Sequence, residues 1–113
     1  MKFIEKNPPR IFTTGTKGRS PISDCGEVYL NPDEQITFVT ASGKNYDFVA
    51  KDWGYYATPS INGRLAREGF KTAIVKNQGG KYFIMVVDKD SLADFEAYLS
   101  TENSTTIDWL DEY

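Results

Sequence analysis

Asp52-Trp53-Gly54-Tyr55-Tyr56-Ala57-Thr58-Pro59-Ser60-Ile61-Asn62-Gly63-Arg64-Leu65 divides the chain into two kinds of pattern. Upstream of it, apolar residues recur with the period of two that marks strands; downstream, strand-like runs alternate with helical ones. Within the stretch, Thr58-Pro59 reads as a helix start, with Thr58 as N-cap and Pro59 at the first helical position. Ile61 and Leu65 are four apart and share a face, and Gly69 is placed to end the helix in a left-handed conformation. A helix over residues 59–68 is therefore expected.

Working downstream, Lys71–Lys76 and Lys81–Val87 flank Asn77-Gln78-Gly79-Gly80, the pattern of a β-hairpin. The second run is apolar almost throughout, which predicts a central strand covered on both faces. Asp88 or Asp90 is placed to cap a helix over residues 90–101, with Leu92, Phe95 and Leu99 as its buried stripe. Residues 105–110 then read as a last strand with Ile107 and Trp109 on one side.

Working upstream, Gln35–Thr40 and Asn45–Lys51 alternate across Ala41-Ser42-Gly43-Lys44 and predict another hairpin. Tyr46, Phe48 and Ala50 fall on one face, Asp47, Val49 and Lys51 on the other, as for a sheet wet on one side. Asn31–Glu34 is a turn and Glu27–Leu30 a short strand. Residues 15–21 form a polar surface loop, and Arg10–Thr14 a strand. Pro8-Pro9 is expected to interrupt a loose edge strand begun by Phe3-Ile4. The order predicts one α+β domain over residues 1–113: a single mixed, mostly antiparallel curved sheet of about six or seven strands, with two helices on one face.

Composition narrows the chemistry. The 113 residues include no histidine and one cysteine, Cys25, so His-based nucleophile pairs, imidazole metal sites, thiolate cages and intrachain disulfides are excluded. No metal and no cofactor is expected. Aromatic residues make up 14% of the chain, enough to supply both core and contact surface. The net charge of −3 lacks the basic excess of a general nucleic-acid binder, and no nucleic-acid partner is expected. No apolar run is long enough for a secretory leader or a membrane span, so a cytoplasmic protein without a membrane partner is expected.

Two stretches attract a functional reading. In Gly15-Thr16-Lys17-Gly18-Arg19-Ser20, backbone N–H groups near glycines could cradle an anion, with charge from Lys17 and Arg19 and a hydroxyl from Ser20; the alternative is a solvated loop. Its spacing is not that of a Walker A loop. In the central stretch, Tyr55 and Tyr56 must point to opposite sides of a strand, while Ser60 and Arg64 share a helix face near its N-terminus. An aromatic wall, a guanidinium and the Asn62 amide suit a small anionic molecule or a partner-protein segment. The plain alternative is a strand-to-helix corner with aromatics in the core. Asp47, Asp52, Asp88 and Asp90 could pair for acid–base chemistry only if the fold brings two of them together. The expected function is a non-catalytic binding or accessory domain acting through Tyr55, Tyr56, Ser60, Asn62 and Arg64. The alternatives are a histidine-independent enzyme using carboxylate, Tyr or Lys, and a structural subunit of a homo-oligomer.

Overall fold

The computed structural model describes residues 1–113 and is mixed α+β, with eight strands in three small antiparallel sheets and two helices. The strands are β1 (Lys2–Thr14), β2 (Ser20–Tyr29), β3 (Gln35–Val39), β4 (Asn45–Lys51), β5 (Gly54–Ala57), β6 (Phe70–Lys76), β7 (Tyr82–Asp88) and β8 (Thr105–Trp109). The helices are α1 (Arg64–Arg67) and α2 (Leu92–Thr101). The sheets are β1-β2, β3-β4-β5 and β7-β6-β8, rather than the one curved sheet expected. Every strand but β8 pairs with a neighbour in sequence, so most ladders close locally; period-two patterning specifies a strand's faces but not which edges join. The chain divides into two compact units, residues 1–36 with 48–56 and residues 37–47 with 57–113.

The first unit is dominated by the long β1-β2 hairpin. Lys2 to Glu5 pair with Tyr29 to Gly26, and Arg10 to Thr14 with Asp24 to Ser20. Between them β1 spends Lys6-Asn7-Pro8-Pro9 opposite Cys25 alone. The prolines therefore sit in a bulge, where no ladder donor is required, and the strand continues past them instead of breaking. For the same reason β2 starts at Ser20, well before Glu27. The Lys6 ammonium caps the bulge by pairing with Asp24 at 2.6 Å, and Arg10 adds a second cation at 3.2 Å. Gly26 is required here, because a Cβ would lie 2.8 Å from the Phe3 ring and 2.5 Å from the Ile4 carbonyl oxygen.

The second unit holds the core. β6 is its central strand, with Thr72, Ala73 and Val75 fully buried. Ala73, Val75 and Leu99 form a cluster against which Met85, Phe95 and Trp109 pack, so α2 covers that face of the sheet through the expected Phe95/Leu99 stripe. Phe95 meets Trp109 edge-on at 5.7 Å. The Asp88 carboxylate accepts the Asp90 N–H at 2.9 Å, capping the 3-10 turn that leads into α2.

Three expectations fail in this unit for identifiable reasons. β7 is an edge strand and not central, because β8 returns on the far side of β6 and takes its second edge. Helix α1 spans four residues, not ten: the Thr58 amide and hydroxyl both donate to the Asp47 carbonyl, holding the chain in a turn. Gly63, with φ −121° and ψ −106°, opens the helix five residues later, while Gly69 at φ +98° ends it as expected. Finally, Ile107 is exposed although Trp109 packs inward. β8 slips one residue between Thr106 and Asp108, and Ile107 is the bulged residue.

Candidate functional site

The five central-stretch residues fall into both units, Tyr55 and Tyr56 in the first and Ser60, Asn62 and Arg64 in the second. In the first unit, Asp52-Trp53 forms the tight turn between β4 and β5, and Gly54 takes φ +140°, which a residue with a Cβ adopts only with strain. The turn brings the Trp53 ring over Tyr56: the planes are 8° apart and the centroids 6.0 Å apart. Trp53 is 68% exposed and Tyr56 46%; Tyr55, on the opposite face of the two-residue alternation, is 76% exposed. None of the three fills the core. Next to that turn Lys51, the last residue of β4, pairs with Asp33.

In the second unit the polar residues are largely engaged with one another. Ser60 Oγ accepts the Arg64 N–H at 3.1 Å, and its carbonyl accepts the Gly63 and Leu65 N–H groups, so Ser60, and not Thr58, satisfies the first donors of the turn that enters α1 at Gly63. Asn62 donates to the Tyr113 carbonyl at 3.3 Å. The Arg64 guanidinium donates to Asp47 at 3.1 Å and to Glu68 at 3.4 Å. Asp47 is buried on β4, and its other carboxylate oxygen accepts from the Thr37 hydroxyl at 2.6 Å. The Thr40 N–H bond to the Lys44 carbonyl fixes the hairpin register and places Thr37 opposite Asp47.

Asp47 is thus the residue that sequence reasoning missed. Period-two alternation puts it on the wet face, yet it anchors Arg64; the register counted back from the 41–44 turn puts Thr37 opposite it. The Thr37 hydrogen bond and the Arg64 guanidinium hold its carboxyl below the usual carboxylate range. Asp88 is shifted the same way by Lys44, whose Nζ lies 2.5 Å from it. A depressed folded-state value stabilises the fold above the unfolded carboxylate range and is lost as pH falls through the folded value. Denaturant midpoints are expected to be flat from neutral pH to about pH 5 and to fall below about pH 4. Asp47→Asn should shallow that acid loss; an identical acid profile in the variant would remove Asp47 from this role.

In the glycine loop, Thr16–Gly18 makes one 3-10 turn, with Lys17 at φ +59° and the Gly18 N–H donated to the Gly15 carbonyl at 3.1 Å. Lys17 and Arg19 are exposed, while Ser20 starts β2 and its carbonyl accepts from Thr14. Asp88 and Asp90 both pair with Lys44, at 2.5 and 3.4 Å, so they serve a salt bridge and not an acid–base pair. No group of His, Cys, Asp and Glu is arranged to hold a metal ion, and no helix is long and apolar enough to cross a membrane. Compared with family models, curated proteins and solved structures, the chain matches none of them.

Proposed function

We propose that this protein is a non-catalytic binding module whose ligand is a segment of a partner protein, held on the stacked rings of Trp53 and Tyr56, with Tyr55 offering a further ring on the opposite face of β5. The observation that carries this reading is the stacked and exposed Trp53–Tyr56 pair, with Tyr55 more exposed still. Aromatic rings in such positions supply large contact area at little cost in side-chain entropy, and they dominate the energetics of protein interfaces. A small anionic ligand is the weaker alternative. Arg64, the cation it would need, is already neutralised by Asp47 and Glu68, so an incoming anion would have to displace a carboxylate.

The test is a pair of variants, Trp53→Ala and Tyr55→Ala, assayed for stability and for capture of partners by the immobilised protein. Both side chains lie outside the core, so unfolding free energies should stay within about 0.5 kcal/mol of the parent. Partner retention should drop at least about tenfold for Trp53→Ala, the range of an interface hot spot. Retention unchanged in both variants would end this reading, as would an Arg64→Ala variant that alone abolishes binding.

A further inference from the structure

We infer that the free edge of β7 is a self-association surface, on which a second copy of this chain adds its own β7 in antiparallel orientation. The surface is separate from the Trp53 face and does not depend on it. The inference begins with the backbone. The Asn77 N–H donates to the Lys81 carbonyl and the Lys89 N–H to the Gly69 carbonyl, both at 2.9 Å. In an antiparallel ladder bonding alternates, so the odd-numbered residues of β7 bond to β6 and the even-numbered ones face the open edge. Tyr82, Ile84, Val86 and Asp88 therefore direct their N–H and C=O groups to a side where no strand of this chain pairs.

This edge lacks the usual protection. Natural edge strands are blunted by bulges, prolines, charges or short length. β8, the other edge of the same sheet, has such devices: the Ile107 bulge and Asp108. β7 pairs with β6 over seven consecutive residues without a bulge, and Tyr82-Phe83-Ile84-Met85-Val86-Val87 contains neither proline nor charge. Tyr82 and Ile84 on one face are 62% and 60% exposed, and Phe83 on the other 46%. A groove also runs along the edge, between Met85–Asp88 of the strand and Asp94, Phe95 and Tyr98 of α2.

Charge selects the occupant. At its hairpin end β7 is flanked by Lys81, and at its other end by Asp88, Asp90 and Asp94. Asp88 and Asp90 are paired with Lys44, whereas Lys81 and Asp94 are exposed and belong to none of the fold's ion pairs. Lys81 shares the face of Met85, which is the face covered by α2. A second β7 laid antiparallel places its Lys81 at the end of the groove where Asp94 stands, and the two-fold axis repeats the contact. A parallel arrangement would set like charges side by side. Antiparallel self-pairing thus matches hydrogen bonding, apolar faces and charge together, and joins two three-stranded sheets into one of six.

Sedimentation of the full chain at on the order of 100 μM should give twice the 12.8 kDa of one chain. Ile84→Pro removes an outward N–H without touching the β6 ladder, so it should give a folded monomer. Lys81→Asp and Asp94→Lys should each raise the dimer dissociation constant at least about tenfold, and the double variant Lys81→Asp/Asp94→Lys should restore it. These charge variants are exposed and keep the test open should Ile84→Pro fail to fold. A parent chain that stays monomeric overturns the inference. So does a dimer indifferent to Lys81→Asp, or one broken by Trp53→Ala and not by the β7 variants.

Discussion

Leu65→Ala is expected to destabilise the second unit by about 3 kcal/mol and to lower its thermal midpoint by on the order of 10 °C. Leu65 is the only fully buried side chain of α1, and with Val75 and Thr72 it is among the largest fully buried side chains in the molecule. A four-residue helix has no stability of its own, since its first turn fixes about six backbone dihedrals in return for one hydrogen bond. α1 therefore exists because Leu65 is buried and Ser60 accepts the N–H groups of its entering turn. Truncation leaves a cavity that a turn pinned by Pro59 and Gly69 has little freedom to collapse. Leu65→Met, which keeps the volume, should cost less than about 1.5 kcal/mol. Chemical denaturation of the three proteins reads this directly. A loss below about 1 kcal/mol for Leu65→Ala would mean that the capping bonds, and not the side chain, hold α1.

The second large effect is expected at Asp111, in the 3-10 turn Leu110–Glu112 that follows β8. One carboxylate oxygen accepts the Thr72 N–H at 2.9 Å and the other takes Lys71 Nζ at 2.7 Å. Thr72 is fully buried on the central strand, so its amide has no water to turn to. Burial disfavours the charged carboxylate, but Lys71 and the Thr72 N–H more than offset it and keep its pKa below the usual range. Asp111→Ala would leave that amide without an acceptor and Lys71 with only Glu112, at 3.3 Å, as a partner. The expected loss is about 2–3 kcal/mol. Asp111→Asn keeps an acceptor for Thr72 and should lose about half as much. Amide exchange at Thr72 separates the mechanisms: it should accelerate in the alanine variant well before global unfolding. If Thr72 stays protected in Asp111→Ala, the clasp is not what completes the sheet.

These sites also show what was legible in the residues. The hairpin over 35–51, the hairpin over 71–87 and the Phe95/Leu99 stripe of α2 all follow from periodicity and turn chemistry, which act within a few residues. What periodicity could not carry was long-range. Nothing local in Lys81–Val87 says that Thr105–Trp109 would take the far edge of β6, so an apolar run meant as a centre became an edge. The prolines at 8 and 9 looked like a break because a strand with a bulge and a strand that ends begin with the same residues. At the candidate site the aromatics were legible and their exposure was not. Local sequence leaves Arg64 without its buried partner because that partner, Asp47, is seventeen positions away on another element.

The two tryptophans stand in contrasting surroundings, one in each unit. Trp53 projects from the β4-β5 turn into solvent, while Trp109 lies against Phe95 with Lys71 Nζ 4.8 Å from its ring centre. Indole emission shifts to longer wavelength in water, so each unit carries its own optical label without any added dye. Red-edge light, the more strongly quenched by acrylamide, is expected to follow the first unit, and blue-edge light, from the half-buried Trp109, the second. Heating one sample while recording both edges would reveal whether the two units melt together or in turn.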